Sequence, residues 1–591
     1  MSGFVAVLAR EGERVDETVF AALAATITEY GPDGNAMRHD GPVALAHSLF
    51  AVRENSSVGP HRSARGSWLV GDIRVDAQNE LRELLVAAGA PIANDATDEA
   101  LFLAAWDVWG ADALGKVRGD FSAVVWDPAR HVLCAARDAF GVRPLFYAFV
   151  NGHFVCSNVL AAVRAMPAIS SRLHEPAIVS FLQWGYNVDL TTTTFADVQR
   201  LAPGHHLLLH AGDTKGVPHR HWNFPEPRPL VYRREQEYVD HYLQVMGAAV
   251  SDRLRQPSVA LLFSGGLDST AIGATARRVS PTTELHAYTW VTTPVRLDDE
   301  GRVAELAARQ LGMQHEIIGD PLPSLSHLGF PGFRSPEPLD GPDEFYWLTL
   351  APKIARESRV LLVGEDGDAL FLPPSIRTQL RSWPIRDVLA RVMRYTLATG
   401  HLPHTGLRWR EKLRGGASVA EQPVPVWLRT DVLARTGVQR DAPVSEHPTR
   451  PETRAALHVS LWQAMLAEYD RALTHVPVET RWPMLDTRLL EFVLAIPPIP
   501  WCQQKTLVRR AFQGALPSEV LRRPKTPVGG FTEAQIARWR AAHPALAPGF
   551  DSRMEAYVDV AKLRHELTAT STERTLALWR AIELDQWLSQ L

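Results

Sequence analysis

Short apolar segments separated by Gly, Asp and Asn turns dominate residues 1–210. Their length and the residues that flank them are typical of β-strands, and two longer stretches between them are typical of helices. The predicted strands are residues 4–8, 43–49, 68–75, 121–126 and 132–137, and the predicted helices are residues 17–30 and 98–109. Strands in sheets with helices outside them predict a layered α+β domain.

The pattern changes after residue 235, where apolar strands begin to alternate with helices. An amphipathic helix over residues 236–254 leads into the apolar run 259–263, and another helix follows that run at once. Further strands are predicted at residues 285–291, 314–318 and 360–363, and a further helix at residues 300–311. This alternation predicts an α/β domain with a doubly wound parallel sheet, in which ligands bind at the carboxyl ends of the strands.

A segment rich in Pro, His and Arg separates the two patterns. We therefore predict a first domain over residues 1–211, a linker over residues 212–235 and a second domain over residues 236–591. Within the second domain, residues 373–451 are rich in Arg and Trp and predict a helical insertion. An insertion that covers a substrate cleft and one that only packs against the domain are equally compatible with this stretch.

The composition argues against several classes of protein. The 591 residues carry a net charge of −4, whereas nucleic-acid binders and proteins of anionic membranes usually have a basic surplus. No apolar stretch reaches the roughly 20 residues that a membrane span needs. The three cysteines, Cys134, Cys156 and Cys502, are too widely spaced for a disulfide framework or a thiolate zinc site. We expect a cytoplasmic protein that binds neither nucleic acid nor membrane.

The apolar run at residues 259–263 ends in Ser-Gly-Gly-Leu-Asp-Ser-Thr, residues 264–270, immediately before a helix. Backbone N–H groups at a helix N-terminus attract phosphate, and glycines allow the backbone to approach it closely. A bound phosphate would repel Asp268 unless a divalent cation lay between them. The combination predicts a phosphate-binding loop with a metal ligand.

A second apolar run, residues 360–363, ends in Gly364 and three acidic residues, Glu365, Asp366 and Asp368. Carboxylates this close repel each other unless a cation or a proton-transfer role separates them. This strand end therefore predicts a second part of the same site.

Residues 264–270 resemble the pyrophosphate loop of ATP pyrophosphatases of the asparagine synthetase type, and residues 364–368 resemble the Gly-Glu-Gly-x-Asp segment of that family. The resemblance continues through Asp470-Arg471, through Pro-Met-Leu-Asp at residues 483–486 and through the basic residues between 505 and 526. It implies ATP and Mg²⁺ as cofactors and adenylation of a carboxylate with release of pyrophosphate.

The same resemblance implies roles for individual residues. Asp268 and Asp368 would be the metal ligands, and Glu365 would be the base toward the attacking amine. Lys505 and Lys525 would be catalytic cations that neutralise the phosphates. The implied ATP-binding residues are Leu262, Ser264, Gly265, Gly266, Asp268, Ser269, Thr270, Trp290 and Gly364.

Signatures in the first domain resemble the class II glutaminase domain of asparagine synthetases, an αββα sandwich of the N-terminal-nucleophile (Ntn) type. They lie at residues 30–34, 71–76, 118–122 and 136–145. Working glutaminases of this class use an N-terminal cysteine. Ser2 stands at position 2 here, and Gly71-Asp72 replaces the Asn-Gly of the glutamine-binding segment. We therefore predict a catalytically dead glutaminase domain that serves as a scaffold.

Members of this superfamily with a dead glutaminase use an amine already present in the substrate. The chain length, the insertion and Glu365, which β-lactam synthetases replace by tyrosine, resemble lasso peptide cyclases (macrolactam synthetases). The resemblance implies a leader-cleaved precursor peptide as substrate, with a leader peptidase and a leader-binding protein as candidate partners. The alternatives are an amidoligase of the asparagine synthetase or β-lactam synthetase type that acts on a small acid, and a non-catalytic nucleotide-binding scaffold.

Overall fold

The computed structural model describes most of the chain. The described residues are 1–9, 12–53, 55–291, 300–319, 335–340, 343–365, 367–381, 383–403, 424–439, 447, 449–457, 460–474, 476–524, 550–568 and 575–591. Within these ranges the strands form two six-stranded sheets and one five-stranded sheet. None of the helices in these ranges is both long and apolar enough to cross a membrane.

The two six-stranded sheets belong to the first part of the chain. The first sheet has the order β10-β8-β9-β1-β3-β2 and the second has the order β12-β11-β7-β6-β5-β4. The strands are β1 Gly3–Leu8, β2 Asn35–Asp40, β3 Val43–Ser48, β4 His61–Arg62, β5 Trp68–Asp76, β6 Arg118–Asp127, β7 Val132–Arg137, β8 Phe146–Val150, β9 His153–Ser157, β10 Gln199–Arg200, β11 His205–Leu209 and β12 His219–Arg220. Because β12 pairs with β11, residues 219–220 of the predicted linker belong to the second sheet.

Three apolar layers show how these sheets stack. Alternate side chains of a strand point to opposite faces, so Phe4 of β1 packs between the two sheets while Val5 packs beneath helix Glu17–Ala25. Helices Gln78–Ala87 and Asp98–Trp109 cover the outer face of the second sheet. The predicted αββα sandwich is therefore confirmed.

The five-stranded sheet is parallel throughout, with the order β15-β14-β13-β16-β17. Its strands are β13 Ser258–Leu262, β14 Glu284–Val291, β15 Gln314–Gly319, β16 Val360–Leu362 and β17 Glu479–Arg481. The chain adds strands outward from β13 on one side and then returns to add β16 on the other. Such a switch point leaves a crevice at the carboxyl ends of β13 and β16.

Helices surround both units. Those in the first part of the chain are Glu17–Ala25, Gln78–Ala87, Asp98–Trp109, Leu160–Arg164 and Glu175–Trp184. Those in the second part are Glu235–Leu254, Leu267–Val279, Glu300–Gln310, Asp343–Glu357, Gly367–Leu370, Ile376–Gln379, Ile385–Thr399, Thr430–Thr436, Pro451–Leu457, Ser460–Ala467, Arg471–Thr474, Thr487–Ala495, Pro498–Trp501, Thr506–Ala511, Ser518–Arg522, Val560–Thr568 and Thr575–Ser589.

The first helix is shorter than the sequence predicts. It ends at Ala25, and a separate 3₁₀ turn, Thr28–Tyr30, follows instead of a continuous helix to residue 30. The chain tightens there because Tyr30 lies against β1. A Cβ atom at Gly3 would come within 2.8 Å of the Tyr30 Cβ. A tertiary contact, invisible in the local pattern, therefore sets this boundary.

Part of the predicted insertion packs on the sandwich. Trp427 and Val432 are buried in the same apolar cluster as helix Glu175–Trp184, and Arg435 pairs with Glu175 at 2.9 Å. Trp587 from the last helix joins this cluster. Residues 424–439 therefore stabilise the outer layer of the first domain, which favours the packing alternative for this portion.

Buried ionised side chains join the sandwich to the parallel sheet. Arg143 pairs with Asp72 of β5 at 3.2 Å and with Glu479 of β17 at 3.1 Å, and Arg481 also pairs with Glu479 at 2.6 Å. Burial alone would raise the pKa of Glu479, but the guanidinium groups of Arg481 and Arg143 outweigh it and hold that pKa below its usual range. Glu479 is thus an anion shared by both domains.

Two further bridges cross the same contact. Arg253 pairs with Asp76 of the sandwich at 3.1 Å and with Asp486 at 2.8 Å. Gln463 accepts a hydrogen bond from Arg137 at 2.5 Å and donates one to the carbonyl oxygen of Phe140 at 2.9 Å. The two domains are therefore held together by directional polar contacts at several separate points.

We expect Glu479→Gln to lower the free energy of unfolding by about 3–5 kcal/mol, because two buried guanidinium groups lose their shared anion. Denaturant unfolding followed by circular dichroism measures this change. The matched control is Glu491→Gln, which removes a more exposed pair with Arg118 at 3.0 Å and should cost less than about 1 kcal/mol. Equal losses in the two variants would contradict the role assigned to Glu479.

Candidate active site

The loop that follows β13 forms one side of the crevice. It runs through Ser264, Gly265 and Gly266 into helix Leu267–Val279. Gly265 has a φ of +67°, and a Cβ atom there would lie 2.8 Å from the backbone nitrogen of Ala304. Both the backbone conformation and the lack of space require glycine at this position.

Hydroxyl groups of this loop divide into two kinds. Ser264 is exposed, and its Oγ lies 3.2 Å from the Oγ of Ser269. Thr270 is fully buried, and its hydroxyl donates to the carbonyl oxygen of Gly266 at 2.8 Å. Thr270 therefore stabilises the start of the helix, whereas Ser264 is accessible to a ligand.

The loop that follows β16 packs directly on the first loop. A Cβ atom at Gly364 would lie 2.8 Å from the Cα and the backbone nitrogen of Ser269. A Cβ atom at Gly367 would lie 2.5 Å from the Cγ of Asp268. Only glycine permits this approach, which brings the second acidic segment beside the predicted phosphate loop.

The ammonium group of Lys505 lies between the two predicted metal ligands. It binds Asp268, and it lies 2.5 Å from Oδ1 of Asp368. The side chains of Lys505 and Asp268 are 13% and 15% exposed, so this charge cluster is shielded from solvent on one side. The structure thus brings together three predicted site residues that come from three separate parts of the chain.

Lys505 reaches this position through an unusual backbone. Gln504 and Lys505 have φ angles of 48° and 54°, a left-handed conformation that is unfavourable for residues with a side chain. Arg509 stabilises the turn, because its Nε donates to the carbonyl oxygen of Gln504 at 2.8 Å and its Nη2 donates to that of Arg523 at 3.0 Å. Strain that surrounding contacts maintain in this way is typical of functional sites.

The crevice fits a nucleotide and a divalent cation. Two carboxylates already converge on one cationic group, and carboxylate oxygens are the ligands that Mg²⁺ prefers. The adjoining helix Leu267–Val279 begins at the glycine-rich loop, where its N-terminus favours phosphate. Asp268 and Asp368 would hold the cation, and Lys505 would face the phosphates.

The remaining predicted residues lie at the same edge or outside the described ranges. Leu262 ends β13, and Trp290 lies one residue before the end of β14, so both lie at the carboxyl edge of the sheet. Lys525 lies outside the described residues, and so does Asp366.

Sequence analysis missed a tyrosine that contacts Glu365. The hydroxyl of Tyr469 donates to Oε1 of Glu365 at 2.6 Å, across a separation of 104 residues. The Tyr469 ring is buried and packs edge-on against Trp482, with the ring centroids 5.4 Å apart. Tyr469 directly precedes the Asp470-Arg471 pair of the family pattern, which was the one available signal.

A cavity of about 190 Å³ lies between the sandwich and the parallel sheet. We call it the interdomain chamber. Tyr469 and Trp482 line it beside the crevice, and Phe181 and Trp184 line it from the sandwich. The buried Arg143 also reaches its wall. The chamber therefore lies in the contact between the domains and reaches as far as Tyr469, whose hydroxyl contacts Glu365.

Comparisons with protein families match residues 241–589 to asparagine synthase and residues 1–222 to the glutamine amidotransferase domain. The chain belongs to the asparagine synthase family. Two relatives from Bacillus subtilis (strain 168) span most of it. The glutamine-hydrolyzing asparagine synthetase 1 is 23% identical and covers 100% of this chain and 96% of its own length. The glutamine-hydrolyzing asparagine synthetase 3 is 24% identical and covers 85% of this chain and 82% of its own length.

Among solved structures, glutamine phosphoribosylpyrophosphate amidotransferase from B. subtilis covers 55% of this chain and 70% of its own. Its sequence identity is 12% and its TM-score is 0.28, a score too low to establish a shared overall fold. Asparagine synthase family members are ATP-dependent amide ligases that form AMP, and the prediction that this chain is such an enzyme is confirmed.

We expect Gly364→Ala to weaken ATP binding by about tenfold or more, because overpacking two backbones costs about 1–3 kcal/mol at the loop contact. Isothermal titration with ATP measures the affinity. Gly247→Ala is the matched control, since a Cβ atom there meets only ordinary contacts at 3.4 Å. Unchanged ATP affinity in a folded Gly364→Ala protein would show that nucleotide binding does not depend on this loop contact.

Proposed function

We propose that the chain is a macrolactam synthetase of the lasso peptide cyclase type. It would adenylate a side-chain carboxylate of a leader-cleaved precursor peptide with ATP. The N-terminal amine of the same peptide would then attack and close an isopeptide ring. The observation that carries this proposal is Glu365, which Tyr469 holds at the end of the strand that also leads to Asp368 of the Asp268–Lys505–Asp368 cluster. It supplies a base for an amine in a chain whose first domain has no cysteine at position 2.

The contacts around Ser2 support the proposal that the attacking amine belongs to the substrate. The Ser2 hydroxyl accepts a hydrogen bond from the backbone N–H of Phe50 at 3.0 Å. Asp72, in the segment that replaces Asn-Gly, is occupied by Arg143 at 3.2 Å. All three cysteines, Cys134, Cys156 and Cys502, are buried. A domain with these contacts is a scaffold rather than a source of ammonia.

The first half-reaction would form the acyl-adenylate. The substrate carboxylate attacks the α-phosphorus of ATP, and the bond to the β-phosphate oxygen breaks to release pyrophosphate. Lys505 would offset the negative charge that develops on the leaving group, a role in which a fixed cation acts strongly. Magnesium bound at Asp268 and Asp368 would neutralise further phosphate charge.

The second half-reaction would form the amide. The attacking ammonium must lose a proton, and a carboxylate within hydrogen-bond reach can accept it. Tyr469 donates to Oε1 of Glu365 and thereby holds the carboxylate in one orientation. AMP then leaves as the new C–N bond forms. Holding both ends of one peptide together makes this step intramolecular, which contributes much of the rate.

A second candidate is an amidoligase that acts on a small acid with ammonia or a small amine. The relatives named as asparagine synthetases are compatible with it. A leader peptidase and a leader-binding protein belong to the first proposal and would not be needed for the second, whereas a cytoplasmic location is expected for both.

Incubation with ATP and a library of linear peptides that carry a free N-terminal amine and an internal Asp or Glu should release AMP and pyrophosphate. It should also yield a peptide lighter by one water. Chromatography and mass spectrometry measure these products. Asp268→Asn should abolish them, while Asp95→Asn at an exposed position should not. Release of ADP and phosphate would contradict the reaction class, and AMP formation from free aspartate with ammonium would support the second candidate.

We expect Glu365→Gln to form adenylate at a near-normal rate but to lose amide formation by about 10²–10⁴-fold, because only the second half-reaction needs a general base. Tyr469→Phe should lose about 2–10-fold, since it removes one hydrogen bond and keeps the ring. Pyrophosphate exchange reports the first half-reaction and mass spectrometry the second. Glu83→Gln, an exposed matched control, should behave as the native protein. Equal losses in both half-reactions would refute the role of Glu365.

A further inference from the structure

We propose that the interdomain chamber binds the amine-bearing end of the substrate, in the form of a peptide segment with a bulky apolar or aromatic side chain. This inference rests on the proposed function, because it assumes that the amine and the apolar side chain belong to one molecule. It assigns a place to the part of the substrate that does not contact ATP.

The volume of the chamber favours a peptide segment over ammonia. A water molecule, which is about the size of ammonia, needs roughly 10–15 Å³ of such space. The chamber has about 190 Å³. That is more than ten times the space that a small nucleophile needs, by the same measure. A passage for ammonia alone would not require a space of this size.

The lining of the chamber favours an apolar ligand. Phe181 and Trp184 face it from helix Glu175–Trp184, and Leu461 and Ala464 face it from helix Ser460–Ala467. The lining also carries polar and charged side chains, among them Arg143, Glu468 and Asp470. Aromatic and aliphatic faces combined with polar groups that fix orientation are typical of sites that bind an apolar side chain of a polar ligand.

Residues 335–340 form a third wall of the chamber, which ion pairs and hydrogen bonds hold in place. Glu337 accepts two hydrogen bonds from Thr194, at 2.7 Å and 2.9 Å, and pairs with Arg200. Asp340 pairs with Arg580 at 2.7 Å. These contacts fix residues 335–340 against the sandwich and engage the charges of the wall with each other. The Glu337 and Asp340 carboxylates of this wall are therefore each paired with a guanidinium group.

The chamber adjoins Tyr469, so a ligand bound there can direct its amine toward Glu365. Tyr469 lines the chamber, and its hydroxyl lies 2.6 Å from the Glu365 carboxylate. Trp482 lines the chamber directly after β17 and thus lies at the carboxyl edge of the sheet. An apolar side chain bound between Trp184 and Leu461 would leave the α-amine of the same segment near the Tyr469 end.

Alkylation of Ala464→Cys tests this site without turnover. The three native cysteines are at most 1% exposed, so the new thiol reports on the chamber alone. The peptide Gly-Phe-Leu amide should slow alkylation by iodoacetamide about tenfold near saturation, in proportion to occupancy. Gly-Ser-Ser amide and ammonium chloride should not slow it. Ala398→Cys, on the exposed helix Ile385–Thr399, should be unaffected by all three.

Absence of protection by Gly-Phe-Leu amide would overturn the proposal, and so would equal protection by Gly-Ser-Ser amide or at Ala398→Cys. A second variant, Ala464→Trp, should abolish the binding of Gly-Phe-Leu amide in calorimetry while leaving ATP affinity unchanged. Protection without AMP formation from any peptide would reject the proposed function and retain the chamber as a binding site. AMP formation without protection would retain the function and reject this site.

Discussion

The Glu479 carboxylate, buried between Arg143 and Arg481, is the interaction on which the arrangement of the two domains depends. A charge at this depth is stable only while its partners stay in place. Glu479 and Arg481 belong to β17, whose Arg481 carbonyl accepts a hydrogen bond from Val363 at 3.1 Å. Val363 directly precedes Gly364 and Glu365. The ion pairs of the domain contact therefore lie only a few residues from the predicted base.

Much of the fold follows from the sequence because it depends on local pattern. Helix Asp98–Trp109 and strand β7, Val132–Arg137, have the bounds that periodicity predicts. The apolar run that ends in Ser-Gly-Gly correctly placed the Ser264 loop at the carboxyl end of a strand of the parallel sheet. The pattern does not encode contacts over long separations. The Tyr469–Glu365 hydrogen bond, the left-handed backbone at Lys505 and the interdomain chamber all depend on such contacts, and sequence analysis found none of them.

The Lys505 ammonium can balance negative charge in the crevice both before and after a nucleotide binds. The carboxylates of Asp268, which is largely shielded, and of Asp368, which is half-exposed, would repel each other, and the Lys505 ammonium offsets that repulsion. A nucleotide would present several negative charges to the same ammonium. Lys505 can therefore serve the carboxylates before binding and the phosphates after it. The strained turn at Gln504 and Lys505 would place the ammonium group within reach of both the carboxylates and the phosphates.

The contact between Gly364 and Ser269 has a mechanical consequence. With the two backbones in close contact, the loop after β13 cannot shift toward Gly364 without displacing the loop after β16. Movement of a few tenths of an ångström at the phosphate end would be transmitted, through rigid main-chain atoms, to the residue beside Gly364. The orientation of Glu365 would then differ with and without bound nucleotide. The base would be coupled in this way to ATP before the amine arrives.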